Sequence, residues 1–389
     1  MIKKISILVL VVLMFFTVFA RKGKTDKAAE QPIRIGWIGS LTGDSAVWGT
    51  NESNMLKMLV EETNAAGGIL GRKVELTCYD TKGDANEAVN AARRIISQDK
   101  VSAIIGPNAS SHCIAIQGVL EQLKVPDIST VATNPRVTLD ETVTPPKVRP
   151  YNFRVCFTDP YQGAIAGGFA FDELKFRNAA ILYDIADDYA QGLTQYFEQT
   201  FTGKGGTIVA KEAFKKDDVD FRAQITKIKN ANPEVLFLPI YYREVALIAK
   251  QARELGLNCV LMGGDGWPSD TLFEMAKDEL QGSYLVNHLD TNDPDFIPLK
   301  KRFEAKYNTT LEMNGFMAHD AYLLVKAAIE KAGNDNPQAI TDAITQVTVK
   351  GVTGTIKISP ENHNPVGKEG SIQKITGSDY AFVQKYGAR

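Results

Sequence analysis

Residues 33–43 read Ile-Arg-Ile-Gly-Trp-Ile-Gly-Ser-Leu-Thr-Gly and join an apolar run to a loop that contains glycine. The run over 33–38 predicts a buried strand, and the segment 51–66 that follows has apolar residues at helical spacing. The pair Gly67-Gly68 is typical of a helix end, and residues 73–79 predict a second strand. Two strands joined through a helix of this length indicate a parallel β-α-β unit.

The same alternation of strands and helices continues along the chain and starts again near residue 179. It predicts an α/β protein built from two doubly wound, Rossmann-like lobes. The C-terminal part of the chain contains enough predicted helices and strands to contribute to both lobes. The further predicted strands are 101–105, 125–129, 179–183, 207–213, 235–240, 259–262, 352–358 and 372–375. The further predicted helices are 86–98, 162–174, 192–202, 221–230, 244–255, 295–307 and 317–332.

Composition and motifs exclude several functional classes. A single core stops growing beyond roughly 250–300 residues, so a chain of 389 residues also favours two lobes. The formal net charge of −2 gives no general attraction to nucleic acid, and no nucleic-acid partner is predicted. The sequence has no phosphate-binding loop and no nucleophile elbow, and its four histidines lack metal-ligand spacing. We therefore predict no enzyme activity, no metal and no cofactor; a hydrolase acting on a small amide is the enzymatic alternative.

The N-terminus predicts export. A short basic start precedes an apolar stretch too short to span a bilayer, and Val18 and Ala20 are the small residues of a cleavage site, so 1–20 is interpreted as a signal peptide. Arg21 stands where a lipoprotein would have its lipid-bearing cysteine, which argues against a lipid anchor. The polar residues 21–31 are interpreted as a tether.

Longer motifs give a specific resemblance. The stretch Glu62-Thr-Asn-Ala-Ala-Gly-Gly-Ile-Leu-Gly-Arg-Lys-Val-Glu-Leu76, with 35–43 and Ile104-Ile-Gly-Pro107, resembles the branched-chain amino-acid binding proteins. These belong to the type I solute-binding proteins of ABC importers. Further landmarks of that family occur in the same order over nearly the whole chain: Asp80, Val125-Pro126, Ala132-Thr133, Asp159, Gln162-Gly163, Tyr189 and Gly192.

The resemblance implies the type I periplasmic binding protein fold, in which three chain crossings form a hinge between two lobes. The order of the predicted segments places these crossings near 154–158, 283–288 and 359–370. Lobe one would then comprise 32–154 and 288–358, and lobe two would comprise 158–283 and 370–389. The ligand would lie in the cleft between the lobes, at the carboxyl ends of the strands.

The resemblance also implies how a free amino acid would be held. Ser110, at the start of a helix, and Thr133 would bind the ligand's carboxylate, helped by backbone N–H groups. Asp265 would bind the ammonium group, with the carbonyl of Val131 as a further acceptor. The ordinary alternatives are that Ser110 only caps its helix and that Asp265 is only a turn residue.

The ligand's side chain would meet aromatic residues. Trp48, Tyr189 and Tyr241 match the pocket aromatics of the family. Trp48 replaces a tyrosine, and Asn108 stands where the leucine binder has an apolar residue. These departures indicate a more polar pocket of different shape, so a polar or aromatic amino acid, or a short amide such as urea, remains open beside a branched-chain one.

The predicted function is a receptor, expected to be a monomer, that captures an amino acid by closure of its lobes. The preferred ligand is a branched-chain or other hydrophobic amino acid, delivered to the membrane permease of an ABC importer. The expected location is the periplasm or the outer face of the cytoplasmic membrane. The alternatives are a receptor for an amide or urea and a ligand-sensing receptor of the same fold.

Overall fold

The strands and helices alternate along almost all of residues 31–386, the part of the chain that the computed structural model describes. The predicted signal peptide and the tether up to residue 30 lie outside the described residues. The strands are β1 (Ile33–Gly39), β2 (Val74–Asp80), β3 (Ala103–Ile105), β4 (Asp127–Ser129), β5 (Leu139–Asp140), β6 (Lys147–Val148), β7 (Asn152–Arg154), β8 (Asn178–Asp184), β9 (Thr207–Phe214), β10 (Val235–Leu238), β11 (Val260–Gly263), β12 (Tyr284–Asn287), β13 (Thr348–Gly351), β14 (Gly354–Lys357), β15 (Gly370–Thr376) and β16 (Asp379–Tyr386). The α-helices are α1 (Ala46–Ala65), α2 (Ala85–Ser97), α3 (Ser110–Leu123), α4 (Asp159–Asp172), α5 (Asp188–Gly203), α6 (Arg222–Asn230), α7 (Tyr242–Glu254), α8 (Asp270–Ala276), α9 (Ile297–Tyr307), α10 (Met313–Ala332) and α11 (Pro337–Ile344).

The first lobe is built on a sheet of five parallel strands in the order β2-β1-β3-β4-β7. Neighbouring residues of β1 point to opposite faces, as a strand requires. Trp37 packs with residues of α1 and α10, whereas Ile38 packs with residues of α2 and α3. Helices therefore cover both faces of the sheet, and the late helices α9 to α11 belong to this lobe.

The second lobe is built on a sheet of seven strands in the order β16-β15-β12-β11-β10-β8-β9. The strands from β8 to β12 are parallel, and β15 and β16 add an antiparallel edge. Ile181 packs with residues of α4 and α5, and Leu182 with residues of α6 and α7. The two doubly wound α/β lobes predicted from the sequence are thus present.

Several segments differ from the sequence prediction, including β7, β16, α8 and α11, which were not predicted. Residues 284–287, placed in a crossing, form strand β12 of the second sheet, where Tyr284 and Leu285 pair with β11. The single strand predicted over 352–358 is a hairpin of β13 and β14, because buried Asp320 accepts hydrogen bonds from the backbone N–H groups at the turn. Helix α10 begins at Met313, one turn before the predicted start.

The chain passes between the two sheets three times: after β7, after β12, and between β14 and β15. Parallel strands of one doubly wound sheet all end at the same edge, so the loops after β1, β3, β4, β10 and β11 meet where the two lobes face each other. Among residues 31–386, no helix combines the length and the apolar character needed to cross a bilayer.

Candidate functional site

A cavity of about 470 Å³ lies between the lobes, lined by residues from both. Its first-lobe wall comes from the loops after β1, β2, β3 and β4 and from the start of α10. Its second-lobe wall comes from the loops after β8, β9, β10 and β11 and the start of α5. The volume is in the range of small-molecule sites.

The first-lobe wall is shaped by the turn between β3 and α3. Gly106 has a φ of +84°, and a Cβ there would lie 2.4 Å from the carbonyl oxygen of Ile38, so only glycine fits. The turn brings Ser110 to the first position of α3, where it is 1% exposed and its hydroxyl accepts from the backbone N–H of Asn134 at 3.2 Å. Ala109 occupies the N-cap position and supplies no side-chain acceptor. The cavity therefore meets a helix N-terminus without a side-chain cap, an arrangement that favours anions.

The second-lobe wall carries a fixed carboxylate. Asp265 follows β11 and is 5% exposed, with both oxygens engaged: Oδ1 accepts from Nε2 of Gln162 and Oδ2 from Nε2 of His288, each at 2.8 Å. The backbone N–H of Asp265 donates to Oε1 of Gln162 at 2.9 Å. Gly264 permits this approach, because a Cβ there would lie 2.0 Å from the same Gln162 oxygen.

His288 links this carboxylate to the chain crossings. Its ring lies 3.7 Å from the ring of Phe157, a residue of the first crossing, and burial lowers the pKa of His288, which keeps the imidazole neutral at pH 7. Because Nε2 donates to Asp265, the other ring nitrogen carries no proton, and it has no hydrogen-bond partner. Asp265 therefore receives two hydrogen bonds from uncharged donors and keeps lone pairs for a third.

Aromatic side chains form another part of the wall. Trp48 is 4% exposed, and its ring meets Tyr241 edge-on at 5.6 Å and Tyr242 edge-on at 5.0 Å. Its N–H donates across the cleft to the carbonyl of Pro268 at 3.0 Å. Tyr189 stacks on Tyr241 at 5.3 Å and accepts from the backbone N–H of Gly266 through its hydroxyl. These rings give the cavity an apolar region next to the charged one.

Polar contacts also join the lobes beside the cavity. The hydroxyl of Ser111 donates to Asp187 at 3.0 Å and accepts from the backbone N–H of Asp188 at 2.9 Å. Arg136 pairs with the carboxylate of Asp188 at 2.7 Å. Burial raises the pKa of Asp187 to about 6, so its carboxylate is ionised at neutral pH. The lobes are therefore in contact around the cavity, in a closed arrangement.

Of the eight residues that the sequence analysis assigned to the site, seven line this cavity: Trp48, Asn108, Ser110, Val131, Tyr189, Tyr241 and Asp265. Thr133 does not; it is fully buried, and its carbonyl accepts from the backbone N–H of Asp159. The sequence analysis missed Tyr242 and Asn314, which line the cavity, and Gln162 and His288, which hold Asp265. The sequence did point to Gln162, since this residue is one of the landmarks of the resemblance.

Neither a metal site nor a disulfide is present in the part of the chain that the structure describes. No group of histidine, cysteine and acidic side chains within residues 31–386 is arranged to hold a metal ion. The cysteines Cys78, Cys113, Cys156 and Cys259 are free thiols. The polar lining of the cavity comprises carboxylate, amide, hydroxyl and backbone groups together with the basic side chains of Lys82, Lys216 and Arg243 and the imidazole of His112.

Comparison with known proteins places this site in a family. A family model described as a periplasmic binding protein matches residues 32–379. The chain belongs to the periplasmic binding protein family. Proteins of this family act outside the cytoplasm as binding proteins, and this periplasmic binding protein is not an enzyme.

Comparison with individual relatives indicates which type of periplasmic binding protein this is. The chain is 31% identical over 318 residues to the Leu/Ile/Val-binding protein BraC3 of Rhizobium johnstonii, covering 81% of this chain and 84% of that protein. Its structure is similar to the leucine-binding protein LivK of Thermotoga maritima, with a TM-score of 0.83, 31% identity and coverage of 91% and 98%. It is also similar to LivJ of Streptococcus pneumoniae in complex with isoleucine, with a TM-score of 0.82, 29% identity and coverage of 92% and 99%. This periplasmic binding protein is thus of the type found with branched-chain amino-acid ABC transporters.

Proposed function

We propose that the protein captures a free amino acid in the cleft by closure of its lobes and delivers it to the permease of an ABC importer. The observation that carries this proposal is the pairing of opposite electrostatic features on facing walls. One wall has the N-terminus of α3, which has no side-chain cap, and the other has the Asp265 carboxylate. An amino acid carries one group of each sign, which suits this arrangement.

In this proposal the α-carboxylate meets the N–H groups of the first turn of α3 and the hydroxyl of Ser110. Thr133 is retained from the sequence prediction as a second hydroxyl, reached only if the segment before Asn134 shifts on binding. The ammonium group donates to Asp265 and to the carbonyl of Val131. Charge-assisted hydrogen bonds of this kind are roughly twice as strong as neutral ones, so these contacts define orientation.

The side chain of the ligand would lie beside Trp48, Tyr189 and Tyr241. Apolar area removed from water there contributes about 25 cal/mol per Å². The same Trp48 contacts the second lobe through Pro268 and Tyr242, which couples occupation of the cleft to closure. A surface formed by both lobes exists only in the closed form, and such a surface is what the permease would recognise.

The same proposal includes the location of the protein and its oligomeric state. We place the mature protein in the periplasm or at the outer face of the cytoplasmic membrane after removal of residues 1–20. We also propose that it acts as a monomer, because a complete cavity is formed by the two lobes of one chain.

A thermal-shift panel of all L-amino acids, their α-amides and urea tests the proposal. A ligand at 100 times its dissociation constant stabilises a protein by about 2.7 kcal/mol, which is readily detected. We expect at least one free amino acid to stabilise the protein and its α-amide to do so far less. Equal stabilisation by acid and amide would refute the carboxylate site and favour an amide or urea receptor. No stabilisation by any amino acid would refute the proposed function.

A further inference from the structure

Two of the chain crossings are in contact at the points where they change lobe. In the first crossing Cys156 packs in the core of the first lobe, whereas the next residue, Phe157, packs in the core of the second. In the second crossing Val286 packs in the second-lobe core and Leu289 in the first-lobe core, so His288 lies at the passage. The rings of Phe157 and His288 have their centroids 3.7 Å apart and their planes inclined by 31°. We call these two side chains the ring pair.

The carboxylate of Asp265 is attached to the ring pair through one of its oxygens. Oδ1 is held by Nε2 of Gln162 and Oδ2 by Nε2 of His288, each at 2.8 Å. The terminal torsion of an aspartate side chain has only a broad preference, so a bond to one oxygen alone would leave the carboxylate able to turn. Because His288 holds the second oxygen, the orientation of the carboxylate plane is fixed relative to the crossings.

The imidazole of His288 has a cost that a plain aromatic ring would not have. Its side chain is fully buried, and Nδ1 is an acceptor without a hydrogen-bond partner. Burying an unpaired acceptor costs free energy. A phenyl ring could stack on Phe157 in the same space without this cost. What the imidazole adds is the Nε2–H group, and its acceptor is Asp265.

We propose that His288 is a positioning residue for ligand binding, which holds Asp265 in the orientation that the ligand's ammonium group requires. His288 does not line the cavity, so it acts through Asp265 rather than on the ligand. Without its N–H, Oδ2 of Asp265 would be buried without that partner, and the carboxylate would turn or take up a proton. Each change weakens a charge-assisted hydrogen bond to an ammonium group, which depends on both charge and direction. This inference rests on the proposed function and adds to it the residue that supports the ammonium site.

Two variants separate the N–H group of His288 from its ring. His288→Phe keeps an aromatic ring against Phe157 but has no donor for Asp265, whereas His288→Gln loses the ring and can place an amide N–H near the position of Nε2. Isothermal titration of the full mature chain with L-leucine should show binding about tenfold weaker or more for His288→Phe and within about threefold of the parent for His288→Gln. His319→Phe is a matched control, because His319 also contacts an aspartate, Asp320, outside the cavity. It should bind as the parent does.

The order of the two variants distinguishes positioning from packing. If the ring alone matters, His288→Gln will bind leucine more weakly than His288→Phe, and the inference fails. It also fails if His288→Phe keeps the parent's melting temperature and the parent's affinity.

A ligand without an amino group shows whether the loss belongs to the ammonium contact. 4-Methylpentanoate is leucine with hydrogen in place of the amino group, and its affinity is measured by competition with leucine. His288→Phe should change this affinity by less than about threefold, since no ammonium group is there to be held. Equal losses for both ligands would show that His288 supports the cleft as a whole and would overturn the inference while leaving the proposed function intact. Failure of every amino acid to bind the parent would overturn the proposed function, and the inference with it.

Discussion

Replacing Asp265 by asparagine removes one negative charge from the cleft and keeps the shape of the side chain. The new amide NH₂ would meet either Gln162 or His288, both of which now donate. His288 can accommodate the change, because its Nδ1 atom has no hydrogen-bond partner and the ring can carry its proton there and accept through Nε2. We therefore expect Asp265→Asn to fold with nearly the parent stability.

The expected effect on binding is large. In the closed cleft the ligand's ammonium group would lose the charge it donates to, and removing one partner of a buried charge pair costs about 2–5 kcal/mol. At 25 °C this corresponds to a dissociation constant weakened by roughly 30-fold to several thousand-fold. Only part of this loss would be recovered, because the amide oxygen of asparagine can still accept one hydrogen bond.

Calorimetric titration with the ligand found in the thermal-shift panel measures this effect. Asp278→Asn is a matched control, because Asp278 is exposed and lies outside the cavity, and it should bind as the parent does. The melting temperature of each variant checks the fold. A folded Asp265→Asn protein with the parent's affinity would show that Asp265 only shapes its turn, and the assignment of the ammonium site would be wrong.

Three further predictions concern stability, closure and processing. Burial raises the pKa of Glu52 from 4.5 to about 7. The free energy of unfolding of the parent should therefore fall by about 2–3 kcal/mol between pH 5 and 8, compared with that of Glu52→Gln. Urea unfolding at a series of pH values measures this, and the same pH dependence in both proteins would contradict it. Trp48→Phe loses the hydrogen bond to Pro268 and should weaken ligand binding about tenfold. Its ligand-free radius of gyration should exceed that of the liganded parent, and identical scattering curves would count against closure. Intact-mass analysis of the exported protein should find a mature chain that begins at Arg21, and a form retaining Met1 would refute the signal peptide.

Much of the fold could be predicted because its helices and strands have clear periodicity. The alternation of buried strands with amphipathic helices specified parallel units, and Gly67-Gly68 marked a helix end that the structure keeps. Strand β12 was missed because only Tyr284 and Leu285 pair with β11, so its position depends on a tertiary contact rather than on a local pattern. The turn between β13 and β14 was missed for the same reason, since it depends on Asp320 from a distant helix.

The cavity residues that were predicted lie in loops or in the first turn of a helix, close to family motifs, as Asp265 and Ser110 do. Asn314 could not be found in this way, because it comes from a helix far along the chain that packs on the first sheet only in the folded state. His288 was rejected as a metal ligand and was given no role in the site, because its contact with Asp265 joins residues 23 positions apart that no motif connects. No regular spacing of residues in the sequence predicts such contacts between distant segments.

The placement of Trp48 gives the protein an optical signal of its own. The chain has three tryptophans, and both Trp37 and Trp267 are fully buried within a single lobe. Trp48 is the one whose indole N–H and ring meet the opposite lobe, at Pro268 and Tyr242. Separation of the lobes would transfer this indole from an apolar contact into water and shift its emission to longer wavelength, against a constant background from the other two. Ligand capture by the proposed closure would therefore be visible by fluorescence in the unlabelled protein, in real time and at concentrations far below those that calorimetry needs.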